Sequence, residues 1–134
     1  MHLKALKSEQ KTIFLKLNKF PEFYLVGGTA LALQIGHRIS IDFDLFSQKD
    51  IPKSLLPKTK RIFEEFKVRP LINHSEQLSV KVNDVKIDFV KYKFSLVLKP
   101  IEFKGVKILP ISEISAMKAF TLNYRGTLKD YIDL

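Results

Sequence analysis

The chain of 134 residues contains no cysteine and no tryptophan, and its 14 acidic residues are outnumbered by 23 lysines and arginines. Without cysteine there is no disulfide framework and no thiolate chemistry. The three histidines, His2, His37 and His74, lie too far apart for zinc-ligand spacing. No apolar run reaches the roughly 20 residues that cross a bilayer: the richest, Phe23 to Gly36, is interrupted by Gly27, Gly28 and Gln34. The segment from Met1 to Lys11 is too polar for the apolar stretch of a signal peptide. These absences lead to the expectation of a cytoplasmic protein with no membrane partner. What is present, 46% hydrophobic and 28% charged residues, suits a packed globule rather than a disordered chain. The length allows one core, so residues 1–134 are expected to form a single domain. A formal charge of +9 makes polyanions candidate partners, although excess lysine also keeps small proteins soluble.

Hydrophobic periodicity divides the chain into alternating helices and strands. Leu3, Leu6, Ile13, Phe14, Leu17 and Phe20 recur at helical intervals, which predicts an amphipathic helix ending before Pro21. Phe23 to Val26 reads as a short buried strand that runs into Gly27-Gly28-Thr29, with the helix formers from Ala30 to Ile35 behind it. Ser40 to Phe46 alternates and predicts a second strand, whereas Lys53 to Phe66 reads as a helix disturbed by Pro57. Leu78-Val80-Val82 and Val85-Ile87-Phe89 flank Asn83-Asp84, a hairpin signature, and a smaller hairpin is expected around Gly105. Ser112 is a candidate N-cap for a helix through Ile114, Met117, Phe120 and Tyr124. The sum is an α+β domain, a small mixed sheet flanked by helices.

Three features carry possible chemistry. Gly27-Gly28-Thr29 stands where a strand turns into a helix, so backbone N–H groups and the positive helix end can meet a phosphate. A Gly-Gly pair by itself is equally a plain tight turn. Asp42 and Asp44, at i and i+2 on one strand, project to the same face about 7 Å apart along the backbone. They are either the wet side of an edge strand or, drawn together by Mg²⁺, a seat that orients a triphosphate. The second reading requires a third acid, and Asp88 stands on the face of its strand opposite to Val85, Ile87 and Phe89. If the two strands are neighbours, three carboxylates converge, enough for two metal ions. Otherwise Asp88 is an ordinary hairpin residue.

The run from Phe23 to Phe46 resembles the opening motif of the AbiEii/AbiGii nucleotidyltransferase toxins, a branch of the DNA polymerase beta-like nucleotidyltransferase superfamily. The resemblance extends to Lys86-Ile87-Asp88-Phe89-Val90, to Lys118, and to Arg125-Gly126-Thr127-Leu128-Lys129-Asp130. It implies that Gly27, Gly28 and Thr29 hold a nucleotide triphosphate, that Asp42 and Asp44 bind Mg²⁺, and that Asp88 completes the metal site and helps to activate an acceptor hydroxyl. Lys118 would offset phosphate charge and Asp130 would act near the acceptor. The bland roles for these two are a snorkelling lysine and a capping acid. Arg38 could reach a phosphate, or with His37 merely cap helix carbonyls. Family members commonly continue into a helical region past the Lys-Asp motif, so with the stop at Leu134 the expectation is either a minimal or truncated member or one that lacks the acceptor-binding half.

The expected function is therefore Mg²⁺-dependent transfer of an NMP group from an NTP to a hydroxyl on RNA, such as tRNA, or on protein. The resemblance also implies toxicity and a separate antitoxin as partner. The basic group Lys53, Lys58, Lys60, Arg61, Lys67 and Arg69 is either a solvated face or a docking surface for the acceptor. Two other classes are carried beside the enzyme: a noncatalytic nucleotide- or RNA-binding module of the same fold, and a plain protein-interaction domain, which leaves the acids without a reason.

Overall fold

A computed structural model describes residues 1–35, 42–92 and 99–110. They form a seven-stranded mixed sheet in the order β3-β4-β5-β2-β1-β7-β6. The strands are β1 (Tyr24–Val26), β2 (Phe43–Ser47), β3 (Val68–His74), β4 (Gln77–Val82), β5 (Val85–Lys91), β6 (Ile101–Phe103) and β7 (Val106–Ile108), accompanied by helices α1 (Ser8–Lys16), α2 (Gly27–Ile35) and α3 (Leu55–Ile62). The α+β class and the mixed sheet agree with the sequence reading. The expected helix from Ser112 lies outside the described residues.

One face of the sheet is almost wholly apolar because its strands alternate. Leu25, Phe43, Leu45, Leu78, Val80, Ile87 and Phe89 are buried on it. Phe89 is the hub: its ring lies 5.1 Å from those of Phe20 and Phe23, and Phe20 stacks on Phe63 at 6.2 Å. These contacts bring the segment after α1 and the end of α3 onto this face, with Ile13 and Phe14 of α1 also buried in the core. Edge-to-face and tilted ring pairs add directional attraction to the area they bury.

Several elements differ from the periodicity. The first expected helix is divided into a 3₁₀ turn at Leu3–Ala5, α1, and a 3₁₀ turn at Leu17–Lys19. Leu6 between them is extended (ψ 143°) and buried, so packing of one side chain overrides helical continuity. α3 is shorter than its apolar pattern and holds Pro57 in its first turn, where a missing N–H costs no intrahelical bond. β3 has no counterpart in the reading of the sequence. It pairs with β4 as an outer strand, almost all of its residues are exposed, and its register slips between Pro70 and Ile72 with Leu71 as the extra residue. Such a strand has no buried side to generate alternation.

The hairpins behave as their turns dictate. β4 and β5 pair from Val82↔Val85 outward, with Asn83 at φ 53°. Lys104 and Gly105, both at positive φ, close β6 and β7. Replacing Phe89 by Ala should lower unfolding free energy by about 3–5 kcal/mol, read as a shift of the urea midpoint. A loss under about 1 kcal/mol would show that Phe89 is not the hub.

Candidate active site

The face opposite the aromatic core carries the acids, and sheet register decides which of them meet. β2 pairs in parallel with β5, and Asp44 is the register partner of Asp88. In-register residues on adjacent strands share a face, with backbones about 4.8 Å apart. On its other side Asp44 pairs with Val26, the last residue of β1, immediately before Gly27.

Gly27 begins α2 with φ at +76°. A Cβ placed there would lie 2.5 Å from Asp44 Oδ2. The glycine is therefore required twice, by its backbone conformation and by the carboxylate pressed over its Cα. Gly28 follows within α2. The first N–H groups of this nine-residue helix lack intrahelical acceptors and carry its positive end, so a cationic terminus starts beside Asp44.

Thr29 is fully buried, and its hydroxyl donates to the backbone carbonyl of Asp42. Its geometry is that of a residue that fixes Asp42 against the first turn of α2. Asp42 lies just before the ladder of β2, and its Oδ1 accepts a hydrogen bond from the Lys86 N–H at 3.4 Å.

Asp88 is only 7% exposed, and a carboxylate so placed needs partners. The Ser79 hydroxyl donates to Oδ1, while the Lys86 ammonium lies 3.5 Å from Oδ2. Ser79 is fully buried and in turn accepts from Gln77 Nε2 at 2.9 Å. A chain of side chains thus orients one carboxylate, and a tethered cation neutralises it. The sequence reading had assigned no part to Ser79 or Gln77, although Ser79 and Asp88 are equidistant from the Asn83-Asp84 turn and so must pair.

The expected meeting of three carboxylates appears as a pair with a neighbour. Asp44 and Asp88 are side by side, while Asp42 is displaced along the strand and engaged by Lys86. Among the described residues no three His, Asp or Glu side chains are arranged to hold one metal ion together. The donor set nevertheless suits a hard cation: two carboxylates abreast, a glycine corner kept clear of any Cβ, and an ammonium already drawn to the outer oxygen of Asp88. Arg38, Lys118 and Asp130 lie outside the described residues.

Beyond Asp44 on this face, Phe46 is buried and its ring lies 5.6 Å from that of Tyr92. Both border a small, shallow apolar dimple with Tyr24, Val26 and Leu109. Phe46 on the acidic side is thus accounted for by an apolar patch next to the carboxylates. No helix among the described residues is long and apolar enough to cross a bilayer.

Comparison with known proteins gives one family. Residues 12–134 match the profile described as nucleotidyl transferase AbiEii toxin, type IV toxin–antitoxin system. An uncharacterized protein of Aquifex aeolicus is 33% identical over 137 aligned positions, covering 98% of this chain and 66% of that protein. Among solved structures, a Helicobacter pylori protein described as a nucleotidyltransferase superposes with a TM-score of 0.60 at 18% identity, covering 84% of this chain and 59% of the other. JHP933, also from Helicobacter pylori, superposes equally well at 19% identity, covering 84% and 57%. These two likenesses speak for the fold. The chain spans less than two thirds of the length of each of these relatives.

The contact between Gly27 and Asp44 is testable by a double-mutant cycle. Gly27→Ala should destabilise by about 1–3 kcal/mol, measured by urea unfolding. In an Asp44→Ala background the penalty should shrink by at least about 0.5 kcal/mol, because the clash is relieved while the backbone strain stays. Strict additivity would remove the contact from the argument.

Proposed function

Because the chain belongs to the AbiEii nucleotidyl transferase toxin family, we propose that it catalyses transfer of an NMP group from an NTP to an acceptor hydroxyl. The observation that carries this reading is the register pair Asp44↔Asp88 with Gly27 beside it. Two carboxylates abreast at the foot of a helix N-terminus have one economical use: to hold cationic charge against a polyphosphate.

In this reading the triphosphate lies against the first turn of α2, where the absence of a side chain at Gly27 lets phosphate oxygens approach the backbone. Thr29 anchors the Asp42 backbone to that turn. Asp44 and Asp88 would hold Mg²⁺, with Asp42 one step along the strand beside them, and the ion would supply Lewis-acid neutralisation of phosphoryl charge. Ser79 fixes the Asp88 carboxylate, which takes the acceptor's proton as the hydroxyl oxygen bonds to the α-phosphorus. The bond from the α-phosphorus to the bridging oxygen breaks, and pyrophosphate leaves with its electrons. Positioning and charge account for catalysis, with little covalent work for the protein. In keeping with the family description, the activity proposed is that of the toxin of a toxin–antitoxin pair; a cytoplasmic site of action is part of the same proposal.

A second reading, a noncatalytic nucleotide- or RNA-binding module of the same fold, draws support from the net charge of +9. Incubation with each α-labelled NTP, Mg²⁺ and a pool of RNA and protein acceptors separates the two. The enzyme should label an acceptor, and Asp44→Asn or Asp88→Asn should each reduce labelling by about 10²-fold or more. Binding of NTP without transfer under any nucleotide would leave the module.

A further inference from the structure

The same face carries a second charged row, produced by register alone. Arg69 of β3 pairs with Lys81 of β4, and Lys81 pairs with Lys86 of β5. Three cations therefore stand abreast on adjacent strands, at steps of about 4.8 Å. Lys86 precedes Asp88 by two residues, so the row lies on the acidic face about 7 Å from the carboxylate pair.

Like charges placed directly across a sheet repel. Two cations elsewhere in the molecule are matched, Lys16 with Glu65 and Lys91 with Asp50, whose hydrogen bond and charge raise the lysine's pKa. Neither Arg69 nor Lys81 has an ion-pair partner among the described residues. Both line an open groove with Lys67, Val68 and Asn83; Glu9 and Asp84 also border it, and Glu9 accepts a hydrogen bond from Asn83. Lys86 joins the row to Asp88 through its ammonium.

The order of the strands gives this row its direction. The glycine corner follows β1, the acids stand on β2 and β5, and the cations extend over β5, β4 and β3. The seat for a triphosphate and the cationic row are on opposite sides of the acid pair. An in-line displacement brings the nucleophile in from the side opposite the leaving group. We infer that Arg69, Lys81 and Lys86 form a phosphate track that leads the backbone of a single-stranded polynucleotide, the acceptor, to Asp44 and Asp88. The name acceptor rests on the proposed transfer; the binding itself does not. No aromatic side chain stands in the row, so recognition is of phosphates and indifferent to base.

The test is fluorescence anisotropy with an end-labelled 12-nucleotide RNA and the DNA of the same sequence, without NTP or Mg²⁺, over a salt series. Three phosphate contacts give a slope of log K against log salt of about −2, at about 0.7 per contact for single strands. R69Q/K81Q should bring the slope to about −0.7 and weaken low-salt binding by about tenfold or more. K60Q/R61Q, on α3 at the other face, should change neither. RNA and DNA should share the slope if the phosphates alone are read, and a tighter RNA complex with the same slope adds the 2′-hydroxyl to the track. An unchanged slope in R69Q/K81Q overturns the proposal. So does a wild-type protein that binds neither oligonucleotide yet labels a protein acceptor, an outcome that would leave the transferase reading intact.

Discussion

Two carboxylates sit side by side in the middle of a sheet, and the rest of the molecule is arranged to make that tolerable. Parallel pairing of β2 with β5 forces Asp44 against Asp88, although like charges on neighbouring strands repel. Burial makes the problem worse for Asp88. The remedies are local: a hydroxyl from β4, an ammonium two residues away on β5, and a glycine that yields its Cβ space to Asp44. All three come from strands or turns whose positions are fixed by the apolar core on the other side. Phe89 anchors that core and is the immediate neighbour of Asp88 in sequence. The same strand thus buries an aromatic ring downwards and presents an acid upwards.

Charge on the acidic face is sorted by strand. Towards β1 it is supplied by backbone, through the start of α2; in the centre it is negative; towards β3 it is positive and comes from side chains. The sheet itself divides the basic residues that a linear reading groups together. Lys58 lies over the Phe20 ring on the aromatic side, 5.3 Å from its centroid, whereas Arg69 is in register with Lys81 on the acidic side. Membership of one charged run in sequence therefore says little about sharing a surface.

Much of this was legible from side-chain alternation. Val85, Ile87 and Phe89 identified a buried side, which put Asp88 on the other, and Asn83-Asp84 set the pairing of the hairpin. The strand–glycine–helix corner was equally plain. Alternation says nothing about which strands become neighbours across a long connection, so the β2–β5 register, and with it the meeting of Asp44 and Asp88, required the structure. β3 was missed because exposure on both sides erases periodicity. The broken first helix was missed because Leu6 satisfies the helical pattern while the core holds it in an extended conformation. Thr29 was grouped with the glycines at the strand–helix corner; its buried hydroxyl holds the Asp42 backbone.

The slip between Pro70 and Ile72 has a meaning for the protein in company. β3 is an outer strand, and Leu71 and Ile72 are 46% and 39% exposed on it. A long, flat border with greasy side chains would invite another molecule to continue the ladder. Proline withholds one donor, and the extra residue throws the spacing of the remaining ones out of step with a regular incoming strand. The irregular border thus offers an incoming strand only short stretches of regular pairing, a form of protection for the exposed Leu71 and Ile72 against edge-to-edge association.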